Sequence, residues 1–127
     1  MSVIVRDDGF HAEDLAPEVA AAVIEIGPDT APDALPAAFD GVEMIRVRFP
    51  SFADGRGFTL ARHLRGAGFR GRLRASGPLI SDQYAMARRA GFDEVEIPAD
   101  LARRQPEAEW LFRADWRGHD YRSRLLA

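Results

Sequence analysis

The chain has no cysteine and no lysine. Without cysteine there is no disulfide, no thiolate nucleophile, no iron–sulfur ligation and no dithiol redox chemistry. Without lysine there is no Schiff-base lysine and no P-loop lysine. No apolar run approaches the roughly 18 residues that span a bilayer. The opening MSVIVRDDGF lacks the basic start and long apolar segment of a signal peptide. A soluble cytoplasmic protein is therefore expected. No G-x-G-x-x-G, Walker, G-x-S-x-G or H-E-x-x-H motif occurs. His11, His63 and His119 are scattered without ligand spacing, so no metal site is expected. No cofactor is specified: an oxidoreductase built from this chain would have to hold one in a way no motif marks.

What is present is arginine, and its distribution is uneven. All 17 basic residues are arginine. Residues 1–43 hold ten acids and one arginine, residues 44–92 ten arginines and two acids, and residues 93–127 eight acids and six arginines. Such a split suits either a nucleic-acid patch or acidic and basic segments that face one another in the fold. Aromatic residues are not interleaved with the arginines in a base-stacking pattern, so nucleic acid is the disfavoured partner.

At 127 residues the chain reads as one domain, residues 1–127, long enough for a real core. Residues 1–12 read as a peripheral strand or hairpin, with Asp7-Asp8-Gly9 as its turn. Glu13 to Ala22 is a loop with a possible helical turn. Ala22–Ile26, Glu43–Phe49, Arg72–Ser76 and Glu94–Ile97 read as strands. Helices are expected at Pro32–Phe39, at Phe58 to about Gly66, at Ser81–Ala90 with Ser81 as N-cap, and after Asp100 with a restart at Pro106. Phe58, Leu60, Ala61 and Leu64 form the buried stripe of the second, leaving Arg62 and Arg65 to water. Residues 113–127 form a C-terminal tail.

Strand–helix alternation at this length implies a parallel sheet. The faces of its strands differ. Ile45, Val47 and Phe49 oppose Arg46 and Arg48; Leu73 and Ala75 oppose Arg72 and Arg74; Val95 and Ile97 oppose Glu94 and Glu96. A doubly wound sheet is apolar on both faces. The pattern instead suits a four-stranded parallel sheet of sequential (βα)4 half-barrel topology, with helices on one face and ion pairs on the other. A flavodoxin-like open sheet is the alternative. The charged face can lie open or meet a second copy, as a homodimer.

The best site candidate is the turn Asp54-Gly55-Arg56-Gly57, which follows a strand and opens a helix. Arg56 and the amides of that helix start can bind a small oxyanion. Equally, Asp54 can cap the helix and pair with Arg56. Ser76, Asp82 and Gln83 follow the next strand and are expected on the same carboxyl-end rim, either as ligands or as caps and turn residues. Gly77 adds an amide there.

FADGRGFTLARHLR, then GRLRASG, then DQ, then RRAGFD resembles a bacterial family catalogued as domain of unknown function 934 and described as a probable oxidoreductase of sulfite reduction. Phe52, Asp54 to Arg62, Leu64, Arg65, Gly71, Leu73 to Ala75, Gly77, Asp82, Gln83 and Gly91 to Asp93 carry the resemblance. Where many members have cysteine before Gly-Phe-Asp, this chain has Ala90. A redox role for that position does not apply here. The resemblance implies an association with sulfite reduction and sulfur assimilation. Two functions follow as expectations: an accessory or interaction protein that contacts a sulfite-reduction enzyme, or a small-oxyanion-binding enzyme or oxidoreductase with its site at the rim.

Overall fold

The computed structural model describes residues 2–15, 22–35 and 38–116. The helical turn expected within 13–22, the end of the Pro32–Phe39 helix, and most of the C-terminal tail fall partly or wholly outside these residues, as does His119. Among these residues six strands form one mixed sheet: β1 (Ser2–Arg6), β2 (Gly9–His11), β3 (Val23–Ile26), β4 (Met44–Arg48), β5 (Arg72–Ser76) and β6 (Glu94–Pro98), in the order β2-β1-β6-β5-β4-β3. β3 to β6 pair in parallel with their neighbours. β1 adds antiparallel to β6 and carries β2 on its outer edge.

The sheet is therefore not a four-stranded half-barrel, and its parallel strands lack the order reversal of a flavodoxin-like sheet. The hairpin forms one edge of the sheet, yet it contributes to the core. Ile4 and Val5 are fully buried, and β1 lies inside the sheet. The connection after β3 also departs from the βα pattern: among its described residues the helical element is a 3-10 turn, Pro32–Ala34. Leu35 leaves it in an extended conformation, as a residue before proline must.

Among the described residues four α-helices follow: α1 (Arg56–Gly66), α2 (Tyr84–Ala90), α3 (Ala99–Arg104) and α4 (Glu107–Phe112). Leu60, Ala61 and Leu64 of α1 and Ala87 and Ala90 of α2 pack with Ile45, Val47, Leu73, Ala75 and Val95 in the core. Ser81 does not cap α2; it lies buried in a 3-10 turn, Ser81–Gln83, and Gln83 Oε1 accepts the Ile80 amide. Gly91 ends α2 in the left-handed conformation, φ 117°, as its sequence position implies. Arg65 is not left to water. It donates to the carbonyls of Phe69, Gly71 and Gly91 and pairs with Asp93 at 2.9 Å, tying together the loops before β5 and β6.

The other face of the sheet is ionic. Arg6, Arg46, Arg48, Arg72 and Arg74 share it with Glu25, Glu94 and Glu96. Glu94 pairs with Arg6 (3.1 Å), Arg72 (2.9 Å) and Arg74 (2.5 Å). Arg46 approaches Glu96 at 3.4 Å, and Arg48 approaches Glu25 at 3.8 Å. Residues 12–15 cross this face: Glu13 pairs with Arg74, and Asp14 with Arg6 and Arg72. Acidic and basic parts of the chain thus meet within one molecule. Burial disfavours the charge on Arg74, but Glu13 and Glu94 more than offset it and raise its pKa. Hydrogen bonds from Arg74 lower the Glu13 carboxyl to about 2, and those from Arg6 and Arg72 lower Asp14 to about 2.

Candidate functional site

The turn between β4 and α1 is closed by its own side chains. Asp54 Oδ1 accepts from the Arg56 amide at 3.1 Å and from Arg56 Nε at 3.0 Å; Oδ2 accepts from Nη2 at 2.6 Å. This forked pair lowers the Asp54 pKa and raises that of Arg56. The Asp54 carboxylate takes up the Nε and Nη2 edge of the guanidinium, leaving Nη1 as the outward edge of a side chain that is 58% exposed.

One glycine of the turn, Gly57, serves packing. A Cβ on Gly57 would lie 2.3 Å from the Phe49 ring, so this glycine lets α1 sit directly on that ring. Gly55 has φ −90°, and a Cβ there would meet Phe58 at 3.9 Å, an ordinary contact. Neither takes a positive φ.

The other candidates disperse. Ser76 faces the ionic side, paired in register with Arg48 and Glu96, and its carbonyl accepts the Phe49 amide at 2.7 Å. The amide of Gly77 donates to the Glu96 carbonyl at 3.0 Å and is not free for a ligand. Gln83 stays near the turn, donating to the Phe52 carbonyl at 2.6 Å. Asp82 points elsewhere, to Arg113 of the segment after α4 at 3.3 Å. So the structure brings Gln83 to the Asp54–Arg56 loop and separates Ser76 and Asp82 from it. His11 pairs with Asp8 at 2.5 Å and His63 lies exposed on α1.

A cleft of about 380 Å³ does open at this end of the sheet, between the loop after β3 and the start of α1. Pro28, Asp29, Thr30, Pro32, Arg56, Thr59 and Leu60 line it. Of the sequence candidates, Arg56 alone reaches it. Asp29, Thr30 and Thr59 were missed, although Gly27-Pro28 ends a parallel strand and the same carboxyl-end rule points there. Phe52, in the loop beside Gln83, is 55% exposed.

Fold and rim define a small α/β protein whose parallel strands open onto a shallow, mixed-charge cleft. The chain belongs to the bacterial family of proteins of unknown function DUF934, whose family model matches residues 23–116. No curated protein and no solved structure is significantly similar to it. Among the described residues no helix is long and apolar enough to cross a membrane.

Proposed function

We propose that this protein is an accessory or interaction protein associated with sulfite reduction and sulfur assimilation, acting by contact with an enzyme of that process. One observation supports the contact role. Asp54, Gln83 and Asp82 are engaged in internal bonds, whereas the large apolar side chain of Phe52 stands exposed at the rim. The sulfur link rests on the family resemblance, and a cytoplasmic location goes with it. A strain lacking the protein should grow slowly on sulfite or sulfate as sole sulfur source and normally on cysteine. Wild type should restore growth, and a folded Phe52→Ser variant should not. Equal growth of the deleted strain on sulfite and cysteine would refute the reading.

The cleft favours a second reading, a small-oxyanion-binding enzyme or oxidoreductase using the outward edge of Arg56. Calorimetric titration of sulfite, sulfate and phosphate tests it. Arg56→Ala should weaken binding by about ten- to a hundredfold, the value of one charge-assisted hydrogen bond. Equal binding by both proteins excludes Arg56 as the ligand. A homodimer through the ionic strand face is also proposed from the sequence. Sedimentation of a monomer at high concentration would remove it.

A further inference from the structure

Residues 12–15 are attached to the ionic face through charge. Asp14 bridges Arg6 at 2.8 Å and Arg72 at 3.0 Å, and Glu13 accepts from both terminal nitrogens of Arg74. Both carboxylates remain partly open to water. The strands beneath carry five arginines, Arg6, Arg46, Arg48, Arg72 and Arg74, against three glutamates, Glu25, Glu94 and Glu96. That leaves a formal charge of +2, which Glu13 and Asp14 cancel. The fit fails at one point. Among the described residues, Arg46 Nε is buried without a hydrogen-bond partner, with Glu96 standing off at 3.4 Å. It borders a cleft of about 220 Å³ lined by Leu15, Val23 and Glu25. The family match begins at Val23, so four of the five arginines lie within it and the acidic segment lies outside.

We propose that the ionic strand face is a binding surface for an acidic segment of a partner protein, and that residues 12–15 occupy it when that segment is absent. The occupant defines the chemistry: adjacent Glu and Asp carboxylates, then an apolar side chain at the place of Leu15. A partner carboxylate that reaches Arg46 Nε gains a bond the resident segment does not make. A tethered competitor holds the site at high effective concentration, so a free segment binds only when residues 12–15 are undocked. This surface is separate from the rim, and the proposal does not depend on the sulfur reading.

A fluorescent peptide with the sequence of residues 10–15 tests it by anisotropy at low salt. The Glu13→Gln/Asp14→Asn double variant should bind it at least about tenfold more tightly than wild type, as release of an intramolecular competitor requires. Added salt should weaken binding, and a peptide carrying Gln and Asn in place of Glu and Asp should not bind. A folded double variant without saturable binding, or with equal affinity for the amide peptide, overturns the proposal. Should the double variant unfold, Asp14→Asn, which keeps the Glu13–Arg74 pair, must bind more tightly than wild type; equal affinity overturns it. A double variant that dimerises and resists the peptide assigns the face to a second copy instead. Preference for a single-stranded oligonucleotide over the acidic peptide likewise overturns a protein partner.

Discussion

At Gly57 the absence of one methyl group decides how closely α1 approaches the sheet. Its missing Cβ is where the Phe49 ring lies, and Phe49 also stacks in tilted contact with Phe58 at 5.0 Å. Gly57→Ala should therefore destabilise the fold by about 1–3 kcal/mol, the usual cost of overpacking, measured by urea unfolding. A Phe49→Leu background should return part of that loss, because the smaller side chain makes room. An unchanged midpoint in the single variant would show that the ring moves aside freely. This glycine explains why the motif was legible as a special turn but not as to purpose. A glycine that admits a ligand and a glycine that admits a ring are the same letter. Asp54 presents a similar ambiguity, since one carboxylate type both caps a turn and neutralises an arginine.

The strands were the most legible elements. Alternation of arginine or glutamate with Leu, Val and Ile marked two faces, and both are found in β4, β5 and β6. What covers the ionic face was not legible, because Glu13 and Asp14 sit in a segment with no periodicity. The pairing predicts an acid response. Both carboxyls lie near 2 in the fold, below their ordinary values of 4.5 and 3.8. The unfolded chain thus binds more protons in that interval. Their stabilisation is complete above about pH 4.5 and is lost as pH falls toward 2. Unfolding midpoints measured from pH 6 to 2 should drop through this window, and the Glu13→Gln/Asp14→Asn variant should drop less. Arg74 is the anchor of the network, with a fully buried side chain beside Glu94, which is 3% exposed. Arg74→Ala removes the cation shared by Glu13, Glu94 and Glu96 and should cost about 3–5 kcal/mol near neutral pH. That loss should shrink in acid, where the carboxylates protonate.

Across the whole molecule, strand–helix alternation revealed the parallel strands, because each is followed locally by its own turn signals. It could not reveal the place of β1, whose partner is about ninety residues away in the chain. Nothing in Ser2–Arg6 names β6 as its neighbour, so the mixed sheet looked like a smaller parallel one. That ladder, with Val5 opposite Val95 and Val3 opposite Ile97, has a consequence in time. Closing so long a loop is entropically costly before any contact rewards it. The parallel strands, joined by shorter connections, can assemble first, and the hairpin then docks onto a prepared edge. Val5→Ala should consequently speed unfolding while leaving the refolding rate nearly unchanged, as read from both limbs of a stopped-flow chevron. A slowed refolding limb would place the hairpin in the folding nucleus. Until the hairpin arrives, β6 is an unpaired edge with apolar Val95 and Ile97, open to any other extended chain. The hazard lies in that interval rather than in the finished fold, and aggregation during refolding should rise with protein concentration.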